Sequence, residues 1–187
     1  MKEIIQKAIT VLNEGGVILY PTDTVWGLGC DATNKIAVDR LFLIKKRMED
    51  KSVIVLVDNF KMLQQYAENF SVDSSVLNLS LSIPTTFILP KGKNMVKGVI
   101  NQNGSAAFRV PKHLFCEELL KEFKKPLVST SANISGDVTP YFYEEIKAEI
   151  KELVDFIVPK DCEGDLTHKP SRILAVKESG ELLVVRE

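Results

Sequence analysis

The stretch Leu43-Ile44-Lys45-Lys46-Arg47-Met48-Glu49-Asp50-Lys51-Ser52, followed by Val53-Ile54-Val55-Leu56-Val57, decides how the rest of the chain is read. Before it, Ile36, Ala37, Leu41 and Ile44 recur at helical spacing, and Thr33 or Asn34 offers an N-cap. After it, five apolar residues in a row read as a buried strand. A helix that feeds a buried strand belongs to an α/β architecture, and such junctions lie at a sheet edge, where ligands bind. Four cations, Lys45, Lys46, Arg47 and Lys51, fall within seven positions there. Lysine supplies a point charge and arginine a planar fork that suits phosphate or carboxylate. The same cations also suit a solvated helix end, where positive charge favours the macrodipole. The stretch alone leaves both readings open.

Composition narrows the field. The chain has 187 residues, enough for one domain with a full core. Its 45% hydrophobic and 26% charged content is ordinary for a globular protein. A net charge of −1 argues against a wholly basic nucleic-acid binder but allows a local basic groove. Cys30, Cys116 and Cys162 are far apart and form no C-x-x-C pair. That suits a reducing cytoplasm rather than a disulfide framework or a zinc site. No apolar run is long enough to span a bilayer, and the charged N-terminus does not read as a signal peptide.

Outward towards the N-terminus, Ile4, Ile5, Ala8, Ile9 and Leu12 predict a helix, stopped at Gly15-Gly16 by a left-handed cap. Val17 to Tyr20 predicts a strand ended by Pro21. The segment from Pro21 to Asp31, rich in hydroxyls and glycine, reads as a loop. Towards the C-terminus, a helix capped by Asp58 or Asn59 is expected to run to about Asn69, and a short one to cover residues 76–81. Strands are expected over residues 84–90, 106–110, 126–130, 155–158, 171–176 and 182–186. Helices are expected over residues 114–123 and 141–153, and a mobile loop over residues 91–104. Strands and helices mix without strict alternation. We therefore expect one α/β domain over residues 1–187, with a twisted mixed sheet flanked by helices and a concave basic groove.

Several familiar motifs fail on context. Gly27-Leu28-Gly29-Cys30-Asp31-Ala32 fits G-x-G-x-x-A, but six residues separate it from the strand before it. A dinucleotide fingerprint needs its glycines at the strand end, so a glycine turn fits better. Lys91-Gly92-Lys93 lacks the rest of a P-loop, and His113 and His168 lie in no H-E-x-x-H or nucleophile-elbow setting. What remains are polar groups at strand ends: Thr22, Thr24, Lys45, Arg47, Arg109, Ser129, Ser131, Asn133 and Ser171. Each has a plain reading as a turn former, cap or salt bridge. Together they offer donors and few bases, which suits charge stabilisation of a polyanion rather than proton abstraction.

These residues resemble the YrdC-like family of L-threonylcarbamoyladenylate synthases. The resemblance rests on Pro21-Thr22-Asp23-Thr24-Val25-Trp26-Gly27-Leu28-Gly29, Lys45-Lys46-Arg47, Arg109-Val110-Pro111, Ser131-Ala132-Asn133 and Pro170-Ser171, in that order. Departures are Met48 where proline is usual, Leu81-Ser82-Ile83-Pro84 for Trp-Pro-Gly-Pro, and Arg172 where threonine often follows Ser171. The resemblance implies an ATP-dependent nucleotidyltransferase. It would form threonylcarbamoyl-AMP from threonine, bicarbonate and ATP, for the threonylcarbamoyladenosine modification of tRNA. It implies an ATP site of Lys45, Arg47, Ser129, Ser131 and Asn133, with Ser105 possible, and catalytic roles for Lys45 and Arg47. It implies a threonine site of Thr22, Arg109 and Ser171, and Mg²⁺ held mainly by the phosphates. Other proteins of the same tRNA pathway, and tRNA or double-stranded RNA, are expected partners. The competing expectation is an RNA-binding module or diverged paralogue that uses the basic groove without this chemistry. Lys91, Lys93 and Lys97 would add to such a groove.

Overall fold

The computed structural model describes residues 1–46, 53–68, 70 and 82–187. Arg47, Met48, Lys51, Leu81 and the short helix expected over residues 76–81 lie outside the described residues.

One mixed sheet organises the protein, in the strand order β11-β10-β5-β7-β3-β8-β2-β1-β9. Its strands are β1 (Ile18–Tyr20), β2 (Gly27–Asp31), β3 (Ile54–Leu56), β5 (Thr85–Leu89), β7 (Ala106–Arg109), β8 (Leu127–Ser131), β9 (Phe156–Ile157), β10 (Arg172–Val176) and β11 (Leu182–Arg186). β4 (Ala67–Glu68) and β6 (Lys91–Gly92) form a separate antiparallel pair. The helices are α1 (Lys2–Asn13), α2 (Lys35–Ile44), α3 (Phe60–Tyr66), α4 (Leu114–Phe123) and α5 (Ala148–Leu153).

The register explains which face becomes core and which becomes site. Leu174, Phe87, Phe108, Val55, Val128 and Cys30 stand opposite one another across six neighbouring strands. All six are buried in the larger apolar cluster, together with Ala37, Val38, Leu41 and Phe42 of α2. One residue along, alternation turns the side chains to the other face. There Ile88, Ala107, Ile54, Ser129 and Gly29 make the matching row. α1 and α4 pack on this second face, but over only one end of it. They bury Ile18, Tyr20, Leu56 and Leu127 in the smaller cluster, with Ile5, Ala8, Leu12, Phe115 and Leu119. The rest of the second face, over β5, β7, β3 and β8, opens into a cleft.

Local chemistry sets the elements as expected at several points. α1 ends in a Schellman motif: Gly15 sits at φ +81°, Gly15 N–H donates to Leu12 O, and Gly16 N–H to Val11 O. Asn34 Oδ1 caps α2 by accepting from Ile36 and Ala37 N–H, and Asn59 caps α3 through Met62 N–H.

Five expectations need correction, the first being that the helix expected to run to about Asn69 stops at Tyr66, where the chain turns into β4. Gly27 to Asp31 is a strand, not a turn. Ile36 lies on the exposed side of α2, 77% accessible. Residues 91–104 are a knitted segment rather than a free loop: Gly92 N–H donates to Gly104 O, Asn101 N–H to Ser105 O, and Val99 is buried. The helix expected over residues 141–153 splits into a 3₁₀ turn, Tyr143–Glu145, and α5. Glu145 folds back to accept from Tyr141 and Phe142 N–H, and Ile146 is extended, which breaks the helical path.

Candidate active site

The cleft is about 280 Å³ in volume and is lined from seven strands and the loops beside them. Ile54, Ala107, Ile88, Ile173 and Val53 form an apolar floor. Around it stand hydroxyls and two cations: Thr22, Thr24, Thr86, Ser129, Thr130, Ser131, Thr139 and Ser171, with Arg109 and Arg186. An apolar floor with a few fixed polar groups is how small-molecule sites are usually built.

Arg109 ends β7 and is buried. Its Nη2 donates to Asp23 Oδ1 at 2.6 Å and its Nη1 to Thr24 Oγ1 at 3.1 Å. Its Nε is buried and has no hydrogen-bond partner. The loop that supplies Asp23 is held by its own hydroxyls. Thr22 Oγ1 lies 2.9 Å from Thr24 Oγ1, donates to Val25 O at 2.7 Å and accepts from Thr24 N–H at 3.1 Å. Thr22 therefore lines the cleft with its hydrogen already given to the chain. Its firm role is to shape the loop that fixes Arg109.

That loop is tied to the segment before β10. Thr167 N–H donates to Asp23 O and His168 N–H to Thr24 O, both at 3.0 Å. Trp26 Nε1 donates to Glu163 Oε1 at 2.7 Å, and Glu163 O lies 2.7 Å from His113 Nε2. Ser171 follows, buried, with its hydroxyl 2.8 Å from that of Thr86. Its carbonyl accepts two bonds from Arg186, at 3.1 Å from Nε and 2.7 Å from Nη2.

The other side of the cleft is the turn after β8. Lys45 is 2% exposed, and its Nζ donates to Ser131 O at 2.6 Å and Asn133 O at 2.7 Å. Ser131 Oγ donates to Asn133 Oδ1 at 2.5 Å, and Asn133 Nδ2 to Asp137 O at 2.7 Å. Ser129 is buried at the cleft wall and accepts from the Tyr20 hydroxyl at 2.7 Å. Lys45 is thus a brace for the turn that carries Ser131 and Asn133. Burial pushes the thiols of Cys30 and Cys116 up, in Cys116 with a further push from the Asp23 charge, so neither is a ready nucleophile.

The structure brings Thr22, Arg109, Ser129, Ser131 and Ser171 to one cleft. Lys45 and Asn133 reach it through the turn they hold. Ser105 does not line it, and its hydroxyl is tied to Asn103 Oδ1 and Asn101 Nδ2. Arg47 lies outside the described residues. Of the other cations expected in a basic groove, Lys46 pairs with Glu149, and Lys91 and Lys93 with Glu68. Tyr20, Thr86 and Arg186 belong to the site region and escaped the sequence reading. Only the alternation of Gly27 and Gly29 hinted at Tyr20.

A family model named for Sua5, YciO and YrdC, and described as Telomere recombination, matches residues 10–187. A protein of Pseudoalteromonas translucida (strain TAC 125) named threonylcarbamoyl-AMP synthase is 39% identical over 172 residues, which is 90% of this chain and 91% of that one. The crystal structure of P. abyssi Sua5 complexed with L-threonine superposes with a TM-score of 0.80 at 26% identity, over 91% of this chain and 50% of that one. This chain therefore spans about half the length of that Sua5 chain. E. coli YciO superposes with a TM-score of 0.79 at 28% identity, over 100% of this chain and 90% of its own. With the family model matching nearly end to end, this chain belongs to the Sua5/YciO/YrdC family.

Proposed function

We propose that this protein joins L-threonine, bicarbonate and ATP into threonylcarbamoyl-AMP, releasing pyrophosphate and water. The observation that carries the reading is Arg109: a guanidinium fixed by Asp23 and Thr24 at a cleft wall, with a buried Nε–H still to give. Such an orphan donor is costly unless a ligand meets it, and a carboxylate is its natural partner. Relatives that bear the synthase name, and the Sua5 structure with L-threonine, supply the amino acid.

The chemistry asks little of the protein's bases. The threonine amine takes up carbon dioxide from bicarbonate to give a carbamate. A carbamate oxygen then bonds to the α-phosphorus of ATP as the bond to pyrophosphate breaks. The protein's part is alignment and charge stabilisation. Arg109 holds the threonine carboxylate, and Thr22 acts through the loop that fixes Arg109. Ser171 borders the threonine side of the cleft. Ser129, Ser131 and Asn133 receive ATP, with Lys45 bracing their turn and Arg47 assigned to the phosphates. Arg186 faces the same cleft and supplies a second cation.

Among the described residues no group of three or more His, Cys, Asp or Glu side chains is placed to hold a metal. Mg²⁺ is expected on the ATP phosphates, as the resemblance implies. Among the described residues no helix is long and apolar enough to cross a membrane. We read residues 1–187 as one YrdC-like domain of the cytoplasm, feeding the proteins that modify tRNA.

The test is pyrophosphate release with ATP and bicarbonate while the amino acid is varied. Threonine is expected to exceed serine modestly, by about 1–3 kcal/mol for its methyl, and valine strongly, because a site that bonds a hydroxyl rejects analogues lacking it. Valine working as well as threonine would remove the hydroxyl contact. ATP binding without release for any amino acid would turn the reading towards nucleotide or RNA binding alone.

A further inference from the structure

Tyr20 is fully buried under α4 and beside the cleft, with its ring 6.2 Å from that of Phe115. Its hydroxyl ends on Ser129 Oγ, two strands away. The strand between them is β2, and it carries no side chain where the ring passes. A Cβ on Gly29 would stand 2.7 Å from Tyr20 Cε1. One on Gly27 would stand 3.7 Å from the same carbon and 3.4 Å from Ser129 Oγ. The alternating glycines are thus a trough, and the phenol lies in it to reach β8. This is the use of a G-x-G that no nucleotide fingerprint explained.

The direction of the bond follows from donor counting. A buried phenol O–H needs an acceptor, and Ser129 Oγ is the one its hydroxyl meets among the described residues. Burial, the largest cause, holds the phenol well above its ordinary pKa, so it keeps its proton. Serine has one hydrogen and two lone pairs. With one lone pair taken by Tyr20, its hydrogen is left to give, and Ser129 lines the cleft.

We infer that Tyr20 is a positioning residue: lying across Gly27 and Gly29, it fixes the Ser129 hydroxyl as a donor to an anionic oxygen of the bound substrate. The inference rests on the cleft taking ATP and threonine.

Wild type, Tyr20→Phe, Ser129→Ala and the double variant are compared by pyrophosphate release, with ATP and threonine varied separately. Ser129→Ala identifies which substrate the serine meets, by raising its KM. Tyr20→Phe is expected to raise the KM of that same substrate about three- to tenfold, the worth of one hydrogen bond, with kcat within twofold. The double variant should be no worse than Ser129→Ala, because the tyrosine acts through the serine. Tyr20→Phe with both KM values within twofold overturns the inference. So does a rise for the other substrate, additive losses in the double variant, or a Tyr20→Phe protein that does not fold, which would make the hydroxyl a support of the fold. A wild-type protein that releases no pyrophosphate would instead remove the proposed function, and this inference with it.

Discussion

Arg109 and Asp23 form an ion pair inside the protein, 2.6 Å apart, with only 5% and 7% of their side chains exposed. The pair joins the end of a central strand to a loop at the cleft. Deleting one partner of a buried pair leaves the other charge uncompensated, which costs about 3–5 kcal/mol. Asp23→Ala should therefore lose that much stability in denaturant melts, and threonine binding with it. Asp23→Asn keeps an acceptor and should lose less of both. Asp23→Ala with stability within 1 kcal/mol of wild type, by order of magnitude, would mean that Arg109 finds another partner.

Lys45 makes a different kind of claim on the site. Its ammonium is buried and held by the carbonyls of Ser131 and Asn133. Lys45→Met should strand those carbonyls and cost about 2–4 kcal/mol, a Tm drop on the order of 5–15 °C for a chain of this size. ATP affinity should fall with it, because the turn that carries Ser131 loosens. An unchanged Tm with ATP affinity lost would restore Lys45 to the phosphate contact that the family resemblance implies.

Much of the fold could be read along the chain because local chemistry fixed it. Gly15 and Gly16 end α1, Asn34 and Asn59 cap the helices they precede, and prolines bracket the strand Thr85–Leu89. Strand order could not be read, since pairings such as Gly29 with Ser129 join segments far apart in sequence. Gly27 to Asp31 looked like a loop because glycine weakens a strand, and its reason for being there is a tyrosine on the next strand. The site was half legible: Arg109 ends β7 and Ser171 precedes β10, as polar groups at strand ends suggest, while Ser129 sits within β8. The burial of Lys45 was not legible, because a cation run reads as solvated until the carbonyls that receive it are known.

The same trough makes Gly29 intolerant. Alanine there would press on Tyr20 Cε1 at 2.7 Å and on Val128 O at 2.9 Å. The second neighbour is backbone in the middle of the sheet and cannot swing away. Gly29→Ala should cost about 1–3 kcal/mol as overpacking. Shrinking the ring with Tyr20→Leu should recover only part of that loss, since Val128 O remains. Full recovery in the double variant would show that the strand can shift and that only the ring was crowded.

Trp26 offers a view of the segment that leads into β10. It is the sole tryptophan in the chain, it is fully buried, and its indole N–H is given to Glu163. Glu163 also anchors its own segment through the bond between its carbonyl and His113. Four and five residues further on, Thr167 and His168 bond the loop that carries Asp23 and Thr24. Glu163→Ala leaves the indole N–H without its acceptor, at a cost of about 1–3 kcal/mol. Part of that cost is relieved if the segment opens and water reaches the ring. Tryptophan emission should then shift to the red, and the KM for threonine should rise, because Asp23 and Thr24 set Arg109. Glu163→Gln keeps an acceptor oxygen and should restore both. A Glu163→Ala protein with wild-type emission and wild-type KM would show that the backbone bonds at Thr167 and His168 hold the segment shut without the glutamate.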